Sequence, residues 1–286
     1  MIFTGSTEVA RLINQTLAKR DDSPVLIAET GGQNAMIVDS TALAEQVCAD
    51  VLNSAFDSAG QRCSALRILC VQEDVADHMV KMIKGAMDEL VVGNPIALDT
   101  DIGPVIDTEA QQNLFAHINR MKGIAKSYHE IRPSENVNPD NATFVAPIMF
   151  ELNGLGELQR EVFGPVLHVV RYPADGLDKL IDQINGKGYA LTHGVHSRID
   201  GTVEHIRSRI ESGNVYVNRN IVGAVVGVQP FGGHGLSGTG GRFLLSATPE
   251  PSERMDCADP EQNRPSGRRR AQTPRNPVAR PAAAAE

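Results

Sequence analysis

Two short runs bring together residue types that can carry covalent chemistry: GQRCSA (60–65), which holds Cys63, and ETGGQN (29–34), which opens on Glu29. A thiolate attacks carbonyl carbon readily, and the acyl–sulfur bond it leaves needs a base to activate the water that releases the product. Cys63 suits the first task and Glu29 the second. Each also has a plainer reading when taken alone. A lone cysteine is commonly a small packed hydrophobe, and a lone loop glutamate is commonly a solvated carboxylate or a helix cap. Arg62 could lower the Cys63 pKa, but a solvated surface arginine is its simpler description.

For the pair to meet, the surrounding elements must deliver both to one place. Glu29 follows a Val/Ile-rich run at 24–28, and Gly31–Gly32 let the backbone turn sharply after it. The carboxyl end of a strand is where α/β sheets bind ligands. Strands are also predicted at 35–39, 66–72, 143–150, 166–172 and 213–218, several of them nearly continuously apolar, as in strands covered on both faces. Helices are predicted at 6–20, 41–56, 74–90, 108–124, 175–185 and 200–212. In the third of these, Val75, Met79, Met82, Ile83 and Met87 fall on one face behind an Asp74 start, which reads as core. The segment 126–140 is polar and turn-rich and reads as a loop. The alternation of strand and helix predicts an α/β fold with a mostly parallel sheet.

The chain of 286 residues is 41% hydrophobic with a formal net charge of −8. That length supports a large core, and that charge speaks against nucleic acid or an anionic membrane surface as partners. No apolar run is long enough for a membrane span, and the first residues lack a signal-peptide pattern, so a cytoplasmic protein is expected. Four cysteines, without a CxxC pair, suggest neither a disulfide framework nor a zinc site. After about Gly240 the pattern stops. Residues 241–286 carry seven prolines and eight arginines but no lysine, and a disordered tail is expected. Its bias also resembles translation in a shifted reading frame.

The motifs together resemble the aldehyde dehydrogenase superfamily. ETGGQN and GQRCSA match its general-base and nucleophile motifs, EVFGPV (161–166) its cofactor segment, QPFGGHGLSGTG (229–240) its C-terminal signature, and FTGS (3–6) the turn that opens the helix over the cofactor pyrophosphate. The stretches SAGQRCSALRILCVQEDVAD, GNP, DIGPVID and VGAVVGVQPFGG look most like the glutamate semialdehyde (1-pyrroline-5-carboxylate) dehydrogenases, in particular the dehydrogenase part of bifunctional proline-utilisation enzymes. The resemblance implies an aldehyde dehydrogenase-like fold, with part of a Rossmann-type cofactor domain and an α/β catalytic domain. It also implies NAD as cofactor, a small aldehyde bearing a carboxylate as substrate, Cys63 as nucleophile and Glu29 as base. Gly5, Ser6, Glu161 and Phe163 would contact the cofactor, and Ser64, Gly223 and Ala224 would hold the substrate carboxylate. The implied order is 1–28 as a remnant of the dinucleotide domain, 29–218 as the catalytic domain, 219–240 as signature and anchor loop, and 241–286 as tail.

Departures from the family pattern set a further expectation. The region that precedes FTGS in the family supplies strands of the cofactor domain, an oxyanion asparagine and a lysine on the adenine ribose. The segment after SGTG also differs, and it includes a strand used in oligomer contacts. A fragment that is inactive or weak in isolation is therefore expected. Two other readings stay open: a cofactor-free cysteine hydrolase using His193, His196 or His234, and a non-catalytic remnant or interaction module. His168, inside an apolar strand, reads as a packed or edge residue.

Overall fold

The computed structural model describes residues 1–22, 24–132, 142–225 and 228–240, and the backbone of Met255–Asp256. A two-stranded parallel sheet is made by β1 (Ile2–Thr4) and β2 (Ile27–Glu29), joined by helix α1 (Thr7–Leu17). α1 begins one residue later than expected because Ser6 is its cap, its Oγ accepting from the Val9 N–H at 3.3 Å.

The main sheet follows. In chain order it contains β3 (Ala35–Val38), β4 (Ile68–Gln72), β5 (Ser127–Glu130), β6 (Ile148–Glu151), β7 (Val166–Tyr172), β9 (Thr192–His196), β10 (Asn214–Val217) and β12 (Met255–Asp256), with β8 (Tyr189–Ala190) and β11 (His234–Gly235) paired separately. Its spatial order is β12-β10-β9-β3-β4-β7-β6-β5, and only the β5–β6 pair is antiparallel. The expected mostly parallel α/β architecture is therefore present. The helices are α2 (Ala44–Phe56), α3 (Glu73–Asp88), α4 (Thr108–Lys122), α5 (Leu177–Asn185) and α6 (Asp200–Arg209). From β3 to β4 the chain steps one way across the sheet, and from β9 to β10 it steps the other way. Right-handed crossovers then put α2 and α6 on opposite faces, and the strands between them are buried on both sides. Met79, Ile83 and Met87 of the α3 stripe lie fully in the core, with Val75 and Met82 packed at its margin.

β9, β5 and β6 differ from the sequence expectation. β9, THGVH, is buried along its whole length between β3 and β10, but its Thr and His mask the apolar run a central strand usually shows. β5 occupies part of the segment read as a loop. It is an edge strand of alternating exposure, and its polar side chains suit an edge. The strand predicted at 143–150 starts only at Ile148, because Pro147 has no N–H to give a ladder, although its carbonyl accepts from Ile131. The predicted tail at 241–286 lies outside the described residues, apart from Met255–Asp256, whose backbone pairs with β10.

The carboxyl ends of β3 and β9, where the crossover direction reverses, are closed by side chains rather than open to a ligand. The Asp39 carboxylate accepts from the Ser197 hydroxyl and from the Thr41 N–H, and Asn218 Oδ1 accepts from the Ser197 N–H at 3.0 Å. The open cleft lies at the other end of the sheet.

Candidate active site

The cleft, of about 620 Å³, lies between the carboxyl ends of β1 and β2 and the amino ends of β3, β4 and β7. Glu29 thus does sit at a strand's carboxyl end, but that strand belongs to the small sheet. Relative to the main sheet the site is at the opposite edge from the one the general rule favours.

Glu29 and Cys63 both line this cleft. Glu29 is held by the C-terminal signature: its backbone bridges Gly238, the Thr30 N–H donates to the Ser237 carbonyl at 3.0 Å, and the Gly233 N–H donates to Glu29 Oε2 at 3.3 Å. Burial raises the Glu29 pKa to about 7, with the Gly233 bond opposing. A carboxylate at that pKa is a usable base near neutral pH.

Cys63 is partly exposed, whereas Cys48 and Cys70 are buried. Its loop is held from beneath. Asn34 Nδ2 donates to the carbonyls of Cys63 (2.7 Å) and Ala65 (2.9 Å), and Asn34 Oδ1 accepts from the Thr192 N–H at 3.1 Å. Burial pushes the Cys63 thiol up, and the charges of Glu161 and Glu29 add to this, while the backbone N–H groups of Ser64 and Cys63 hold the thiolate and oppose it. Arg62 plays no part in that balance. It pairs with Asp57 at 3.0 Å and donates to Ser58 Oγ.

A buried arginine organises the floor. Arg67, 1% exposed, donates to the carbonyls of Gly60 (2.7 Å), Gly164 (3.1 Å) and Arg62 (3.1 Å), and pairs with Glu161 at 3.4 Å. Its guanidinium also stands over the Phe163 ring, 5.2 Å from the centroid. Gly60 has φ +65°, and a Cβ there would come within 2.2 Å of the Gly164 carbonyl oxygen, so only glycine lets the nucleophile loop and the 161–166 segment approach this closely.

Gly5, Ser6, Glu161 and Phe163 line the same cleft as the cysteine. The Glu161 carboxyl is pushed up by burial, against the pull of Arg67 and a bond from the Gly32 N–H. A Cβ on Gly31 would lie 1.5 Å from Glu161 Oε2, so the carboxylate rests directly on that glycine. Ser64, Gly223 and Ala224 do not line this cleft. Ser64 is buried, with its carbonyl accepting from the Thr192 hydroxyl, and Gly223 turns the chain at φ +81° with open space around it.

His193 and His196 are buried in β9, His234 is exposed in β11, and none of the three lines the cleft. His168 is a packed residue of β7, in the sheet interior rather than at its edge. Asn34, the last residue of ETGGQN, has a supporting role that the motif reading did not assign, and Arg67, His117 and Tyr189 take part in the site without a motif role. Arg67 alone left a signal, as a charge inside the apolar run LRILCVQ. No helix among the described residues is long and apolar enough to cross a membrane.

A model of the aldehyde dehydrogenase family matches residues 1–250. The chain is 54% identical over 280 residues to the bifunctional protein PutA of Klebsiella aerogenes, an overlap of 93% of this chain and 21% of that protein. It is 33% identical over 243 residues to the 1-pyrroline-5-carboxylate dehydrogenase of Geobacillus sp. (strain WCH70), covering 83% of this chain and 46% of the relative. Among solved structures, that of a bifunctional proline utilization A (PutA) protein superposes with a TM-score of 0.80 at 58% identity, over 84% of this chain and 24% of that one. A Thermus 1-pyrroline-5-carboxylate dehydrogenase with bound NAD superposes with a TM-score of 0.74 at 33% identity, over 83% and 46%. The chain thus spans less than half the length of these relatives.

Proposed function

Since the chain belongs to the aldehyde dehydrogenase family, we propose that its cleft serves the NAD-dependent oxidation of glutamate semialdehyde, the open form of 1-pyrroline-5-carboxylate, to glutamate, as a step of proline catabolism. The observation that carries this reading is the placement of Cys63 and a Glu29 of pKa about 7 on one cleft. Relatives called PutA and 1-pyrroline-5-carboxylate dehydrogenase support the substrate, and a solved relative with bound NAD supports the cofactor.

The residues present fit a dinucleotide. The N–H groups that open α1 at Ser6 suit a diphosphate, and Gly5, whose own N–H donates to the Glu29 carbonyl, brings the chain into that turn. Glu161 suits ribose hydroxyls, and the partly exposed Phe163 ring suits the flat nicotinamide. In this reading residues 1–28 belong to the dinucleotide domain, 29–218 to the catalytic domain and 219–240 to the signature and anchor loop.

The Cys63 sulfur bonds to the aldehyde carbon after its proton has passed to solvent water, directly or by way of Glu29, which is left as the carboxylate. The backbone N–H of Cys63 is the donor that the family resemblance assigns to the negative charge that develops. NAD, when bound, supplies the acceptor for the hydride that leaves the aldehyde carbon. Glu29 then takes a proton from the water that attacks the Cys63 thioester, and the carbon–sulfur bond breaks to release glutamate. The family resemblance assigns the substrate carboxylate to Ser64 and to the backbone N–H groups of Gly223 and Ala224, neutral donors that suit an anion, although these residues lie outside the lining of the Cys63 cleft. The net charge and cysteine usage support a cytoplasmic setting.

The test is covalent capture. With glutamate semialdehyde and NAD, the wild-type chain, which spans less than half of its relatives, is expected to form NADH weakly at most, Glu29→Gln to accumulate an acyl adduct on the Cys63 peptide by mass spectrometry, and Cys63→Ala to do neither. NADH formation that survives Cys63→Ala would overturn the reading.

A further inference from the structure

On α4, Ala110, Asn113, Leu114 and His117 recur at helical spacing and line the cleft opposite the start of α1. His117 is not isolated there. Its Nε2 lies 2.9 Å from His168 Nε2, and His168 Nδ1 lies 3.0 Å from the Arg67 carbonyl. The rings of His117 and His168 meet edge-on at 83°, and Phe150 stacks on His168.

This chain has one consistent arrangement of protons. A carbonyl only accepts, so His168 Nδ1 carries the hydrogen and donates to Arg67. Burial keeps His168 neutral, lowering its pKa to about 3, so its Nε2 has only a lone pair. His117 Nε2 must then be the donor. Burial and the nearby Arg120 and Arg160 lower the His117 pKa to about 4, so it is neutral too. Its Nδ1 is left as a bare acceptor, and no hydrogen bond among the described residues uses it.

We propose that His117 is a cofactor-positioning residue: held in the Nε2–H tautomer by His168 and the Arg67 carbonyl, it offers Nδ1 to a hydroxyl or amide N–H of the dinucleotide in the cleft. This rests on the dinucleotide reading above. It also joins two parts of the site. Arg67 fixes the Cys63 loop through its guanidinium and the His117 tautomer through its carbonyl, so the nucleophile and the cofactor wall share one buried residue.

The tautomers can be read directly by ¹⁵N–¹H correlation through the imidazole rings at pH 7. The expected pattern is Nδ1–H for His168 and Nε2–H for His117, and the reverse pattern overturns the proposal whatever the chain binds. Adding NAD is then expected to move the His117 Nδ1 resonance upfield as it gains a donor, and His117→Phe is expected to bind NAD about two- to tenfold more weakly, the scale of one hydrogen bond. His117→Asn, which keeps an acceptor, is expected to recover part of that loss. If the wild type binds NAD but the resonance does not move, the role of His117 falls while the dinucleotide reading stands. That outcome needs no variant to fold. If the wild type binds no NAD at all, the dinucleotide reading falls and takes this one with it.

Discussion

The Asn34 amide donates to the Cys63 carbonyl at 2.7 Å, so the residue five positions beyond the proposed base fixes the backbone of the proposed nucleophile. The same amide reaches the Ala65 carbonyl and accepts from the Thr192 N–H. One side chain, 3% exposed, therefore couples the ETGGQN turn, the cysteine loop and the central strand β9.

Replacing Asn34 with Ala leaves two carbonyls and a buried N–H without partners. Unmade buried hydrogen bonds cost about 1–3 kcal/mol each, and Asn34→Ala is expected to lose at least about 2 kcal/mol. Urea denaturation should show this as a lower midpoint at unchanged slope.

Glu29 should make the wild type less stable as the pH rises. A carboxyl whose folded pKa is about 7 binds more protons in the folded than in the unfolded state between roughly pH 4.5 and 7. Its contribution to stability is present in full below the unfolded pKa and is lost as the pH climbs through the folded one. Glu29→Gln removes this dependence, so its stability relative to wild type should be greater at pH 8 than at pH 5 when denaturation midpoints are compared. The same titration should appear in catalysis as a hydrolytic limb near pH 7 that Glu29→Gln lacks.

Arg67→Met is expected to be severely destabilising. It leaves the Gly60 carbonyl without its donor, takes one of two donors from the carbonyls of Gly164 and Arg62, and removes the cation beside Glu161, and breaking a buried ion pair from one side costs about 3–5 kcal/mol. Lysine should not rescue it, because an ammonium cannot span the same set of acceptors as a planar fork. Thermal denaturation of both variants checks this.

Alkylation should separate the thiols. Cys63, partly exposed, is expected to react with iodoacetamide well before the buried Cys48 and Cys70. The nearby Glu161 charge disfavours the thiolate, so Glu161→Gln should lower the Cys63 pKa and speed its alkylation at pH 8. Peptide mapping over a pH series gives both results, and a slower Glu161→Gln would contradict the electrostatics described here.

The sequence by itself singled out the proposed pair and the secondary-structure frame. Glu29 and Cys63 stand in local motifs whose residue types suit the proposed chemistry, and the continuous apolar runs behind β3, β4 and β7 and the period-3.6 patterns behind α2 and α3 are set by which faces must be buried. Only the tertiary structure decided where those residues meet and what holds them. Arg67, Asn34 and His117 act in large part through distant partners, Asn34 on Cys63 and Thr192, Arg67 on Gly164 and His117 on His168, and such contacts leave no local period. β9 was hidden because its histidines break the apolar run and Thr192 finds its partners, Asn34 and the Ser64 carbonyl, only once the chain has folded. The site lies at the amino ends of the main strands because Asp39 and Ser197 close the other end, a choice made by folding rather than by any single run of residues.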